Sequence, residues 1–333
     1  MNPETVKKPR AKRPAKPVNG KETRSKDRPG VRHVTVTRDH DGQRIDNFLA
    51  RELKGVPKTA IYRIIRTGQV RISGKRCKPN HKVGVGDDVR IPPAHTREQG
   101  DFQVSDAVIR QVRNAIIHED KDFIVIDKPS GMAVHSGSNL PWGLIDAVRQ
   151  ARPGEFVELA HRIDRETSGC VVLARSGEAL RHVSDQFRDG KVIKRYLCLL
   201  DGHLKEAKVV VDEPVLKLRQ TGSHTVETDD EGKEALTHFH LLQAYADCSY
   251  AEAEIFTGRT HQIRVHAAHL GLPLAGDDRY SSEASQRKWK KRGLRRLFLH
   301  AHSIRFESPG GDEISCNALL PDALRKVLDQ VAA

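Results

Sequence analysis

The nine residues HRIDRETSG, 161–169, set one carboxylate, Asp164, between Arg162 and Arg165 and follow it with Thr167, Ser168 and Gly169. Short apolar runs flank the stretch, VELA (157–160) before it and CVVLAR (170–175) after it, so it reads as a loop joining two strands. The same alternation extends outward on both sides. Upstream, AIIHEDKDFIVIDKPSGMAVH (115–135) reads as strand, acidic turn, strand and a Lys-Pro-x-Gly loop, and WGLIDAVRQ (142–150) as a helix. Downstream, SGEALRHVSDQF (176–187) reads as a helix capped by Ser176 with Leu180, Val183 and Phe187 inward. KRYLCLLDG (194–202) begins a strand, THFHLLQAY (237–245) and SYAEAEIF (249–256) alternate as half-buried antiparallel strands do, and LFLHAHSIRF (297–306) is a late strand. THQIRVHAAHLG (260–271) reads as a helix capped by Thr260 and stopped by Gly271, and DALRKVLDQV (322–331) as a closing helix. Many strands, few helices and no βαβ rhythm make residues 113–333 an α+β domain with a mostly antiparallel sheet.

Ahead of it stands a smaller and more basic unit. RIDNFLAREL (44–53) reads as a helix with Ile45, Phe48, Leu49 and Leu53 on one face. KGVPKTAIYRIIRTG (54–68) is a second, with Pro57 at its start, Ile61, Ile64 and Ile65 inside and Gly68 as the stop. Its outer face carries Lys58, Arg63 and Arg66, and cations continue through Arg71, Lys75, Arg76, Lys78 and Lys82. Two short β-like runs, QVRISG (69–74) and DDVRIP (87–92), lie around the turn KRCKPNHK (75–82). Residues 92–112, opening PPAHTREQGD, are polar and aperiodic and read as a linker.

Charge and composition narrow the function. The chain of 333 residues carries 57 Lys+Arg against 44 Asp+Glu, a net of +13, which points to a polyanionic partner, nucleic acid first. Residues 1–30 alone hold ten Lys/Arg against three acids, with five prolines and almost no apolar residues; the reading is a disordered basic tail over 1–32. Such a tail gains RNA affinity by releasing counterions. Glu4, Glu22 and Asp27 interrupt it, which argues against a mitochondrial transit peptide. No segment approaches 18 consecutive apolar residues and no signal-peptide core opens the chain, so neither a membrane span nor secretion is expected. Cys77, Cys170, Cys198, Cys248 and Cys316 are scattered with no CxxC pair, as free thiols in a reducing cytoplasm would be.

Three stretches carry chemistry. Cations beside Asp164 favour its charged form, and an ionised carboxylate in a cleft can serve as nucleophile or base, although Asp–Arg neighbours also anchor loops. IFTGRTHQIRVHAAH (255–269) places Arg259, His261 and Arg264 around a helix start, where free N–H groups meet an anion and Arg264 can fork onto a carboxylate. His261, His266 and His269 lack the i,i+4 spacing from His261 to His266 that would share a metal on one face. Tyr196 is a core tyrosine or, in an RNA enzyme, a stacking platform for an extruded base. No phosphate-cradling glycine loop is present, so no nucleotide cofactor is implied.

Residues 44–91, with RIDNFL, Arg63 and Arg66, V-x-I-x-G-K and GDDVRI, resemble the S4 RNA-binding domain, a small αα-β module, which implies binding to structured RNA. HRIDRETSG, DKPSGMAVH (127–135), KRY (194–196), TGRTHQIRVH (257–266) and RLFLHA (296–301) resemble, in order and spacing, the RluA-type pseudouridine synthases; the S4-like unit in front matches their RluC-like branch. That resemblance implies an isomerase of uridines in large-subunit (23S) ribosomal RNA, free or in a pre-ribosomal particle. It implies Asp164 as the catalytic aspartate, Arg264 as its paired arginine, and Tyr196 as the active-site tyrosine that stacks on the uracil and takes its C5 proton. Arg162 would fill the gap left by the flipped nucleotide, Leu299 would line the uracil pocket, and neither metal nor cofactor would be needed. A monomer is expected, since the sequence advertises no large apolar interface. Three rival readings remain: an RNA-binding assembly factor with an inert synthase fold, a synthase acting on tRNA or other RNA, and a carboxylate glycosidase. The last lacks a partner acid of comparable context.

Overall fold

The structure is a computed structural model, and it describes residues 30–53, 56–93, 103–136, 140–220, 223–228 and 232–332. The expected basic tail lies outside the described residues as far as position 29, and Arg32 already opens a strand.

The N-terminal unit comprises β1 (Arg32–Thr35), α1 (Ile45–Glu52), α2 (Lys58–Arg66), β2 (Arg71–Ile72), β3 (Lys75–Arg76) and β4 (Asp88–Ile91). Its four strands form one antiparallel sheet in the order β1-β4-β2-β3. The apolar faces of both helices close on it, burying Ile45, Phe48, Leu49, Ile61 and Ile65 against Val70, Val89 and Ile91. Pro57 stands just before α2, and Gly68 follows it with φ +72, a left-handed stop that glycine accepts without strain. β1 escapes the sequence reading because a four-residue strand ending a basic tail carries too little pattern.

The second unit begins with α3 (Asp106–Asn114), inside the stretch read as linker. Its Val112 is buried, and Val104 just before it is buried in the same core, so the linker within the described residues is shorter than 92–112. There follow β5 (Ile116–Glu119), β6 (Phe123–Lys128), α4 (Leu144–Ala151), β7 (Glu158–Leu159), β8 (Ser168–Ala174), α5 (Gly177–Arg188) and β9 (Ile193–Leu200). Next come β10 (Lys208–Asp212), the hairpin β11 (Val215–Gln220) and β12 (Ser223–Thr228), β13 (Leu236–Ala244), β14 (Ser249–Ile255) and α6 (Gln262–His269). The last elements are α7 (Glu283–Lys291), β15 (Leu299–Glu307), β16 (Glu313–Asn317) and α8 (Asp322–Ala332). Ten strands form one sheet, with the path β10-β13-β14-β9-β15-β8-β6-β5 and with β16 on β15 and β7 on β8. Only the β15–β8 pair is parallel, as an α+β reading requires.

The continuous apolar runs have a simple origin. Successive side chains of a strand point to opposite faces, and this sheet is covered on both. Ile124 and Ile126 therefore join Val171, Leu173 and Tyr196 in one core, while Phe123 and Val125 join Cys170, Val172 and Phe306 in another. Further along the sheet, Leu199 and Phe298 meet Trp289 of α7 and Leu324 of α8.

Gly169 has a structural reason in the opening stretch. It pairs with Ala301 where β8 and β15 run side by side, at φ +111. A Cβ there would stand 2.7 Å from both the nitrogen and the carbonyl carbon of Ala301, so only glycine lets the two strands close.

The two units touch. The Arg181 guanidinium donates to the Asp41 carbonyl, Arg51 lies 3.8 Å from Glu158 and 5.1 Å from the Phe156 ring, and Gly177 packs against the backbone of Asp39. No helix among the described residues is long and apolar enough to cross a membrane.

Candidate active site

Asp164 sits in the loop entering β8, and that loop is fastened from three sides. Lys128, at the end of β6 and fully buried, donates from Nζ to the carbonyls of Pro129 (2.9 Å), Met132 (2.8 Å) and Arg165 (3.1 Å). Ser130 donates to the Glu166 carbonyl at 2.7 Å, and Arg165 returns a bond to the Gly131 carbonyl at 2.9 Å. Arg296 Nη2 reaches the Glu166 and Leu299 carbonyls and Ser168 Oγ at 3.3, 3.1 and 2.8 Å. The Lys-Pro-x-Gly loop and the nonapeptide are thus one structure, organised by a buried ammonium. Burial lowers that ammonium to about 7, the Arg296 charge adds to this, and the Glu166, Asp164 and Asp127 carboxylates oppose it.

A cavity of about 390 Å³ opens over this loop. Asp164, Arg162, Tyr196, Arg259, His261, Arg264 and Leu299 all line it, so these sequence-predicted residues come together. Tyr196 comes from β9, Leu299 from β15, and Gln262, Ile263 and Arg264 from the first turn of α6. Asp164 is the one carboxylate among the lining residues, and its side chain keeps 22% of its exposure.

One expected contact is absent. Arg264, 3% exposed, does not pair directly with Asp164; its fork closes on Asp277, Nε–Oδ2 at 2.7 Å and Nη2–Oδ1 at 2.6 Å, with Asp278 at 3.1 Å. Burial works against the Arg264 charge, but the bonds and charge of Asp277 more than compensate, and Asp164 adds to the same field. Asp277 is fully buried and also accepts from the backbone N–H groups of Arg279 and Tyr280, so Arg264 and those groups hold its carboxyl below the usual range despite burial. His261 approaches the catalytic candidate, Nε2 to Asp164 Oδ2 at 4.0 Å, with Nδ1 2.8 Å from the Tyr280 hydroxyl. Burial lowers the His261 pKa; Asp164 opposes this, while the Arg264 and Arg279 charges add to it. A neutral imidazole therefore faces Asp164.

α6 also starts later than its sequence suggests. His261, not Thr260, is the residue before the first turn, held at φ +57 with no side-chain cap. A left-handed histidine beside a cleft is local strain that the surrounding bonds must support. His266 is spent on Thr237 and the Glu213 carbonyl, both at 2.9 Å, which separates it from His261 in role.

Tyr196 is 8% exposed, and burial, with Asp164 and Cys170 near it, raises its pKa; it is a neutral phenol presenting an aromatic face. Lys58, Arg63 and Arg66 lie outside the cavity, exposed on α2, with Arg66 5.9 Å from the Tyr62 ring. Burial first, then the Arg162 and Lys58 charges, lowers the pKa of His135, against the opposing Asp146 carboxylate.

Behind the cavity His300 is fully buried and lowered to about 4, chiefly by burial. Its bonds demand neutrality: Nε2–H donates to the Ala318 carbonyl (3.1 Å), so Nδ1 accepts from Ser168 (2.8 Å), whose oxygen is taken by Arg296. His161, lowered by burial to about 3, likewise accepts from the Val172 N–H at 3.0 Å. In the unfolded chain both rings protonate near 6.5, so acidification favours unfolding below that pH. We expect stability to fall between pH 6.5 and 4.5 by roughly 2–3 kcal/mol per ring. Urea midpoints across this range check it, and His300→Asn should remove about half of the slope.

Sequence comparison places this site in known company. The RNA pseudouridylate synthase model matches residues 122–269 and the S4 domain model residues 43–89. The chain is 42% identical over 306 residues to the "Ribosomal large subunit pseudouridine synthase C" of Haemophilus influenzae, covering 90% of this chain and 95% of that one. The protein of the same name from Escherichia coli K12 is 42% identical over 310 residues, covering 91% and 97%. Among solved structures, "Human RNA Pseudouridylate Synthase Domain Containing 4" superposes with a TM-score of 0.57 at 25% identity, over 68% of this chain and 96% of that one. "Human RNA Pseudouridylate Synthase Domain Containing 1" gives 0.51 at 26%, over 66% and 94%. With its near full-length relatives and its S4 domain, the chain belongs to the RNA pseudouridylate synthase family, enzymes of the isomerase class.

Proposed function

We propose that the protein converts uridines of bacterial 23S ribosomal RNA to pseudouridine, on free RNA or a pre-ribosomal particle, with Asp164 as the catalytic group. The observation that carries the reading is a cationic cavity with one lone carboxylate facing a neutral tyrosine ring, in a chain whose relatives bear the large-subunit name. The reaction breaks C1′–N1, turns the uracil and joins C1′ to C5, with the C5 proton lost and one gained at N1; no electrons are exchanged. A uridine in a duplex cannot reach Asp164, so it is flipped out. Its base stacks on Tyr196 against Leu299, Arg162 fills the vacated space, and Arg259 and His261 bound the opening. Asp164 then attacks or deprotonates the ribose. Arg264 acts as a positioning residue, tying α6 to the 277–280 loop while its charge supports the Asp164 carboxylate across the gap. Lys58, Arg63 and Arg66, exposed on α2, hold the RNA on the S4 side. The protein works as a cytoplasmic monomer without metal or cofactor.

The test is tritium release from C5-labelled unmodified transcripts of large-subunit rRNA, small-subunit rRNA and tRNA. Release from the large-subunit transcript alone is the expected result. Release from tRNA alone would move the substrate, and release from none, in RNA or particles, would refute the reading.

A further inference from the structure

The cations of the cavity wall are not equally employed. Arg264 is matched by Asp277 and Asp278, and Arg188 by Asp185 at 2.7 Å and Asp189 at 3.2 Å, while Arg162 stands in solvent. Lys194 is different. It is 7% exposed, lines the same cavity, and has neither a hydrogen bond nor a carboxylate partner among the described residues. Its Nζ meets only the Phe187 ring, 5.8 Å from the centroid. Burial alone lowers its pKa, to about 8, so at neutral pH most of it is still charged, and that charge is felt at His161. On β9 it precedes Tyr196 by two residues, which puts both side chains on the same face of the strand.

A largely buried ammonium that reaches only the cavity and has no counter-charge costs stability, and a ring contact offsets only part of that. The fold offers no reason for the charge, whereas an anionic ligand entering the cavity would supply the missing partner. A nucleotide whose base lies on Tyr196 brings phosphodiester groups to the same wall.

We infer that Lys194 is a phosphate-binding residue, ion-pairing with a phosphodiester that flanks the flipped uridine. This rests on the function proposed above. It makes the cavity floor an anion site that is complete only with RNA bound, and it distinguishes Lys194 from the exposed lysines and arginines of α2, which meet the backbone at a distance from the reacting base.

The experiment compares wild type, Lys194→Met and Lys194→Arg. It measures tritium release from a large-subunit rRNA transcript, RNA affinity over a salt series, and the urea midpoint. Lys194→Met should lower kcat/KM roughly ten- to hundredfold. It should flatten the slope of log affinity against log salt by about 0.7–0.9, one phosphate contact. Its urea midpoint should equal or exceed that of wild type, because an uncompensated charge has gone. Lys194→Arg should keep most of the affinity and the full salt slope. A salt slope unchanged in Lys194→Met overturns the inference whatever turnover does. So does a methionine variant that is destabilised or fails to fold, since the ammonium would then be supporting the fold itself. Should wild type release no tritium, the synthase reading fails, while the salt slopes still judge Lys194 as an anion contact.

Discussion

Asp164→Asn should lose at least about ten-thousandfold in tritium release, the scale seen when an enzyme's only attacking group is removed. The substitution is nearly isosteric, and the carboxylate it replaces makes no ion pair shorter than the 4.0 Å approach of His261. Stability should therefore change by less than about 1 kcal/mol. RNA binding should hold or tighten, because the variant deletes the only negative charge lining a cavity otherwise walled by Arg162, Arg188, Lys194, Arg259 and Arg264. An inert-synthase assembly factor would show no effect at all. Loss of activity together with loss of binding or folding would give Asp164 a structural role.

Gly169→Ala is expected to be strongly destabilising for a single added methyl group. Its Cβ meets the Ala301 backbone, which cannot rotate away as a side chain could, and the position holds φ +111. Backbone strain and overpacking each cost about 1–3 kcal/mol, so a loss of roughly 3–5 kcal/mol is predicted, a large share of a typical domain's stability. Relief by separating β8 from β15 would displace Ser168 and Leu299, the latter a lining residue of the cavity. Urea unfolding with a loss below about 1 kcal/mol would contradict this account of the strand contact. A glycine elsewhere in a turn, such as Gly74, with nothing within 4 Å of its Cβ position, should show only the conformational cost of φ +80.

The site was legible where chemistry and local pattern coincide. HRIDRETSG, KRY and HQIRVH each hold a functional side chain within a few residues of an element boundary, and the structure gathers Asp164, Tyr196 and Arg264 around one cavity. The partner of Arg264 was not legible. Asp277 lies thirteen residues downstream in the loop LAGDDRY (274–280), and nothing local marks it as buried; tertiary packing decides which acid a buried fork meets. Lys128 could have been found, since a lysine directly before Pro-x-Gly at a strand end has carbonyls to satisfy on every side. α7 was hidden for the opposite reason. EASQRKWKK (283–291) reads as a charge run, and its inward face rests on Ser285 and Trp289 alone. Trp289 buries itself with Phe298 and Leu324, and Lys288 and Arg292 stack on its ring while pairing with Asp247. α3 carried the right spacing in Val108, Ile109 and Val112, but the polar residues before it masked the period.

Whether Asp164 in this cavity makes pseudouridine in large-subunit rRNA is decided by mapping the product. Unmodified large-subunit rRNA would be incubated with wild type or Asp164→Asn, and pseudouridine located at single-nucleotide resolution. The account predicts a small set of discrete modified positions with wild type and none with the variant, at equal RNA binding. The same positions appearing with both proteins, or none with wild type on RNA and particles alike, would contradict it.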